Sequence, residues 1–244
     1  MAHYKLILAY DGSEFAGFQR QAQKPSVQLA LEDALRELGW QGRSIIAAGR
    51  TDTGVHGLGQ VVSFDLNWRH GDEVLLRALN AHLPKSIVGQ VIAQVPPSFH
   101  PRYDALARHY RYQLYSQPQS NPLRERFAWR VWPKPDLALM NEAAQALLGE
   151  HDFRAFGKAL KEDGTTTRHI FKANWQQGED GSSFEISGNA FLYHMVRRIV
   201  HTLVQVGLGK DPVEIVKRGL ETGDIGSVRL APAHGLTFVG VDYK

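Results

Sequence analysis

The order of apolar patterns along the chain predicts an α+β protein of two lobes. Each lobe is ferredoxin-like or split-βαβ in order and carries a mixed, mostly antiparallel sheet. Three observations support this. Short segments with alternating apolar residues are separated by segments whose apolar residues recur every three or four positions. The order strand, helix, strand, strand, helix, strand is read twice, with Pro96, Pro97 and Pro101 marking the boundary. At 244 residues, with 43% apolar and 22% charged residues, the chain has the composition of an ordinary globular protein and enough material for two cores. The division expected is residues 1–102 and 103–244.

In the first lobe His3 to Tyr10 alternates as a strand, and Asp11-Gly12-Ser13 marks a turn. Ser26 is placed to cap a helix. Val27, Leu31, Ala34, Leu35 and Leu38 form its apolar face, Gln28, Glu32, Asp33, Arg36 and Glu37 lie opposite, and Gly39 stops it. Strands follow at 43–48 and 60–66, then a helix over 72–82 ending before Pro84, then a strand from Ile87 to Val95. In the second lobe strands are expected at Arg108 to Tyr115 and Phe127 to Trp132, and a helix from Asp136 to Leu148. His169 to Trp175 and Ser183 to Ser187 pair as a hairpin around Gly178 and Gly181. A long helix covers Phe191 to Leu208, with Phe191, Met195, Ile199, Thr202, Leu203 and Val206 as its packing face. Asp211-Pro212 opens another helix ending at Gly223, and Gly235 to Tyr243 closes the chain as a strand.

Chemistry concentrates between the strands at 43–48 and 60–66. Four glycines from Gly49 to Gly59 permit positive φ and close backbone approach. Among them Arg50 and Asp52 stand two residues apart. On an extended backbone they share a face, and a carboxylate beside a guanidinium stays ionised where water is excluded. That suits a nucleophile or base. A turn with a surface ion pair is the other reading of the same residues.

Net charge is +3, but it is unevenly spread. From Pro101 to Lys134 there are seven basic residues against two acidic ones, interleaved with Tyr103, Tyr110, Tyr112, Tyr115, Phe127, Trp129 and Trp132. Arginines hold phosphates and aromatic rings stack on bases, so this block suits RNA. The absence of Cys excludes disulfides and thiolate metal sites. With no signal-peptide pattern and no apolar stretch long enough to span a bilayer, a soluble cytoplasmic protein is expected. His194 and His201 share a helix face without a neighbouring carboxylate to complete a metal site, so no metal is expected. His56, His151 and His234 read as structural hydrogen bonders.

Five stretches, in order from the first strand to the last, carry a resemblance. They are Tyr10-Asp11-Gly12 with Gly17-Phe18-Gln19-Arg20-Gln21; Gly49 to Gly57; Phe99-His100-Pro101-Arg102 with Arg108-His109-Tyr110-Arg111-Tyr112; Asn189 to Arg197; and Ala231 to Leu236. Gly49 to Gly57 resembles the catalytic-loop signature of the TruA family of tRNA pseudouridine synthases, and the others match in the expected order. Thr53 departs from the alanine usual there.

The resemblance implies the pseudouridine synthase fold, two lobes flanking a central cleft that grips tRNA, and a homodimer acting on the 3′ side of the anticodon stem-loop. The reaction breaks the N1–C1′ bond of uridine, turns the flipped-out base and rejoins it through C5. It needs no hydride carrier, metal-activated water or energy source, so no cofactor is expected. By position, Asp52 matches the nucleophile and Arg50 the arginine that helps extrude the base. Tyr110 matches the tyrosine that stacks on the base, its hydroxyl near C5. Arg197 matches the cation paired with the aspartate, and Leu236 an apolar residue beneath the base. By residue type alone, Tyr110 reads first as a half-buried strand aromatic, and Arg197 with Arg198 as solvated helix positions. Two other classes fit parts of the pattern: an RNA-binding protein without activity, and a metal-dependent hydrolase using Asp52 and His56.

Overall fold

Tyr4, Leu6, Leu8 and Tyr10 alternate along the first strand, and all four are buried. That face lies against a helix whose own stripe, Val27, Leu31, Ala34 and Leu35, is buried too, giving the first core. A computed structural model describes residues 1–159, 164–227 and 229–244. It divides into two units, residues 1–106 with 237–244, and residues 107–236.

The first unit runs β1 (Ala2–Tyr10), α1 (Val27–Glu37), β2 (Ile46–Ala47), β3 (His56–Leu66), α2 (Asp72–His82) and β4 (Ile87–Gln94). β1 is antiparallel to both β3 and β4, and β2 is antiparallel to β3, so the order is β4-β1-β3-β2. β1–α1–β2 is therefore a split βαβ with β3 between its strands. Ser26 caps α1 by accepting from the Leu29 N–H, and Gly39 follows the helix at φ 88°.

Two strands differ from expectation. β3 begins at His56 rather than 60, because Gly57 and Gly59 are strand residues at points of close approach. A Cβ at Gly57 would stand 2.4 Å from the Tyr10 ring, and one at Gly59 2.4 Å from the Val239 carbonyl oxygen. The strand expected over 43–48 shrinks to β2, because side chains take the backbone groups before it: Ile45 N–H donates to Glu32, and the Arg43 carbonyl accepts from Arg20.

The second unit holds β5 (Ala105–Tyr115) from Ala107 onward, then α3 (Pro122–Glu125), β6 (Trp129–Arg130), α4 (Leu137–Gln145) and β7 (Gly149–Asp152). It continues with β8 (Thr167–Gly178), β9 (Gly181–Gly188), α5 (Met195–Gly207) and α6 (Ile215–Thr222). β9 is antiparallel to β5 on one side and β8 on the other, while β7 pairs with β8 and β6 lies parallel to β5. β5 and β8 thus run the same way with β9 between them, a second split βαβ whose crossover carries α4. Asp136 caps α4, and Gly223 at φ 77° ends α6.

On α5 the expected face of Met195, Ile199, Thr202, Leu203 and Val206 is buried. The helix starts four residues later than expected, since His194 at φ 63° is left-handed and breaks the turn before it. β7 and α3 were not expected: Gly-Glu-His-Asp has no apolar alternation, and α3 is a single turn started by Asn121 and Pro122. The closing strand, β10 (Leu236–Tyr243), pairs in parallel with β3 through Thr237 and Phe238. Among the described residues no helix is long and apolar enough to cross a membrane.

Candidate active site

The loop from Gly49 to Val55 has little freedom, because its backbone is held at nearly every residue. Gln60 Nε2 donates to the Gly49 carbonyl at 3.1 Å, and Phe18 N–H to the Thr51 carbonyl at 3.0 Å. Val55 N–H closes a turn onto the Asp52 carbonyl at 3.1 Å, with Gly54 at φ 78° in the position of that turn that requires positive φ. Thr51 is buried, and its hydroxyl lies 2.8 Å from that of Tyr10. Burial pushes the Tyr10 phenol up to about 12, so it stays neutral and able to share a proton with Thr51.

Two glycines of the first motif let the turn after β1 lie directly on this loop. A Cβ at Gly12 would come within 2.0 Å of the Val55 carbonyl oxygen, and one at Gly17 (φ 100°) within 2.8 Å of the Thr51 oxygen and 3.3 Å of the Asp52 carbonyl carbon. His56 completes the support: its Nδ1 stands 3.1 Å from the Gly12 N–H and 3.2 Å from Asp11 Oδ1. It is a structural hydrogen bonder, as expected, and so is His151, whose Nε2 meets the Leu148 carbonyl at 2.7 Å.

Asp52 sits half-buried at the start of the turn, while Arg50 and Thr53 are exposed. Arg50 makes no ion pair among the described residues. The ion pair expected between Arg50 and Asp52 within the loop is thus not formed. Thr53 bonds nothing among the described residues, so its hydroxyl takes no part in holding the loop.

The other expected residues lie in the second unit. Tyr110 is half-buried on β5 opposite Ile186, its ring edge-on to Phe191 at 5.0 Å between centroids. Tyr112, two residues on and on the same face, is fully buried and donates to the Pro232 carbonyl at 2.8 Å. Arg197 on α5 donates through Nε to the Ala231 carbonyl at 2.8 Å, and Ala231 N–H returns a bond to the Arg197 carbonyl. A Cβ at Gly235 would collide with the Tyr112 ring at 2.6 Å. Leu236, buried, ends the segment these contacts hold. Tyr112 and Arg197 thereby fix the stretch from Ala231 to Leu236 that was singled out by sequence.

Spacing along the chain assigns no role to Tyr10, Thr51, Gly12 or Gly17 as supports of the loop. Their signal was only that they belong to the recurring motifs. Among the described residues no three His, Cys, Asp or Glu side chains gather as metal ligands.

A family model described as tRNA pseudouridine synthase matches residues 6–104 and 143–244. A protein named tRNA pseudouridine synthase A from Neisseria meningitidis serogroup B is 40% identical over 244 residues, covering 98% of this chain and 91% of its own length. One of the same name from Shouchella clausii is 42% identical over 247 residues, covering 100% of this chain and 94% of its own. A third, from Francisella tularensis subsp. mediasiatica, is 40% identical over 245 residues and covers 100% and 95%.

Proposed function

This chain belongs to the tRNA pseudouridine synthase family, and from that premise we propose that Asp52 is the nucleophile with which it converts uridine to pseudouridine in the anticodon stem-loop of tRNA. The enzyme is an isomerase. The N1–C1′ bond breaks, a C5–C1′ bond forms, and the proton lost from C5 is balanced by one gained at N1. One observation carries the assignment to Asp52: its backbone is fixed from both sides, by Phe18 and Gly17 before it and by the Val55 turn after it, while its side chain remains half-open. A carboxylate held in that way meets a flipped base without reorganising.

The remaining roles are supported by motif position. Arg50, exposed on the same loop, is placed to enter the stack as the base leaves, where a planar cation serves better than Lys. Tyr110 stacks on the uracil with its hydroxyl toward C5, Leu236 supports the base from below, and Arg197 is the cation that keeps Asp52 ionised once water is excluded. Of the basic and aromatic residues between Pro101 and Lys134, Tyr112 and Tyr115 are buried in the core, and the exposed ones, Arg102, Arg126, Lys134, Tyr103, Phe127 and Trp132, supply phosphate contacts and stacking. The working form proposed is a cytoplasmic homodimer.

The test is tritium release to water from an unmodified tRNA transcript labelled at uridine C5, with EDTA present and Asp52→Asn as control. Release by wild type alone, with tRNA affinity little changed in the variant, is expected, since phosphate contacts dominate binding. Tight tRNA binding without release would favour an RNA-binding protein. Loss of affinity in step with activity would make Asp52 structural.

A further inference from the structure

Gln28 and Glu32 belong by sequence to the polar face of α1, yet both are buried and Glu32 has no exposure at all. A carboxylate so placed must be met by donors. Arg20 Nη1 reaches it at 2.6 Å, Gln28 Nε2 at 2.8 Å and the Ile45 N–H at 3.2 Å, with Arg36 Nη2 at 3.6 Å. Arg20 is fixed in return. Its own N–H donates to Gln28 Oε1 at 3.1 Å, and its Nη2 lies 3.5 Å from the Arg43 carbonyl.

The ion pair is one-sided. The Glu32 side chain is sealed, while that of Arg20 is 42% exposed. Part of the guanidinium fork is used in holding, and the rest of its donors meet solvent. Arg20 also stands close to the catalytic loop. Phe18 bonds the Thr51 carbonyl, and Arg20 follows two residues later, within about 7 Å along even a fully extended backbone. Arg43 and Lys24 beside it are exposed and basic. An arginine oriented from behind by a buried carboxylate and open in front has its orienting entropy removed before any anion arrives.

We propose that Arg20, oriented by Glu32, binds a backbone phosphate of the RNA strand that carries the target uridine. This rests on the RNA-modifying reading above. Glu32 acts only through Arg20 and is a positioning residue.

The decisive variant is the double Arg20→Gln/Glu32→Gln, which leaves net charge unchanged and keeps the buried site hydrogen-bonded with neutral amides. Its affinity for unmodified tRNA is measured across salt concentrations beside wild type, with melting to report folding. Loss of one phosphate contact makes the slope of log affinity against log salt shallower by about one, with affinity down roughly 10-fold near 0.1 M salt. Arg20→Lys keeps the slope but binds more weakly, because a point charge replaces the fork. An unchanged slope in a folded double variant overturns the proposal and leaves the pair purely structural. A second measurement needs no variant: saturating tRNA protects Arg20 of the wild type from an arginine-selective reagent, read by mass spectrometry of its peptide. Equal modification with and without tRNA overturns the proposal as well. In either case wild-type tritium release stays intact, whereas failure of the RNA-modifying reading removes release itself.

Discussion

Replacing Gly17 by alanine tests whether the catalytic loop is positioned by the turn lying against it. The new Cβ incurs two costs. Gly17 is at φ 100°, and holding a non-glycine residue there costs about 1–3 kcal/mol. The Cβ also stands 2.8 Å from the Thr51 carbonyl oxygen and 3.3 Å from the Asp52 carbonyl carbon and the Thr53 nitrogen. Those neighbours are backbone, so relief requires the loop itself to move by some tenths of an ångström. Together the two costs come to about 2–4 kcal/mol, which for a chain of this size lowers Tm by roughly 4–16 °C. Displacing Asp52 on that scale lowers turnover roughly 10- to 100-fold, with tRNA affinity unchanged. Gly39→Ala is the control: its φ is 88°, but nothing lies within 4 Å of its Cβ, so it bears the conformational cost alone. Tritium release under single-turnover conditions, with both variants well below their melting temperatures, separates the two costs. If Gly17→Ala turns over as fast as Gly39→Ala, the first motif does not position Asp52 and the reasoning fails.

Tyr10→Phe leaves the buried Thr51 hydroxyl without its partner and costs about 1–2 kcal/mol at neutral pH in urea unfolding. The same residue sets an alkaline limit. Its phenol ionises near 10 in the unfolded chain and at about 12 when folded, so the stability it contributes is complete below pH 10 and is lost as pH rises through 12. Unfolding titrations above pH 10 should therefore fall less steeply for Tyr10→Phe than for wild type, and parallel curves would contradict the buried phenol. Arg197→Ala should lower turnover roughly 100-fold or more, by leaving Asp52 without its proposed cation. It also frees the Ala231 carbonyl from its Nε donor, so melting is followed in parallel. Near-normal rates would remove Arg197 from the mechanism.

What the sequence determined by itself was whatever depends on neighbours along the chain. Alternation placed β1 and β4, three-and-four spacing placed α1, α2 and the packing face of α5, and Ser26, Asp136, Gly39 and Gly223 marked helix ends by local hydrogen bonds or permitted φ values. It also marked the stretch from Gly49 to Gly57 as the place for chemistry, because glycines around a charged pair are unusual in either strand or helix. Tertiary structure alone decided the rest, where the partner is far away in the chain. Gly57 and Gly59 read as loop by composition and are strand because Tyr10 and Val239 press against them. Glu32 reads as solvated by its helical position and is sealed because Arg20, Gln28 and Ile45 converge on it from three directions. The expected ion pair of Arg50 with Asp52 does not form, although the two stand only two residues apart. Periodicity reports which side of an element faces inward, but not which buried polar group will find a donor there. That depends on contacts formed only when distant segments pack.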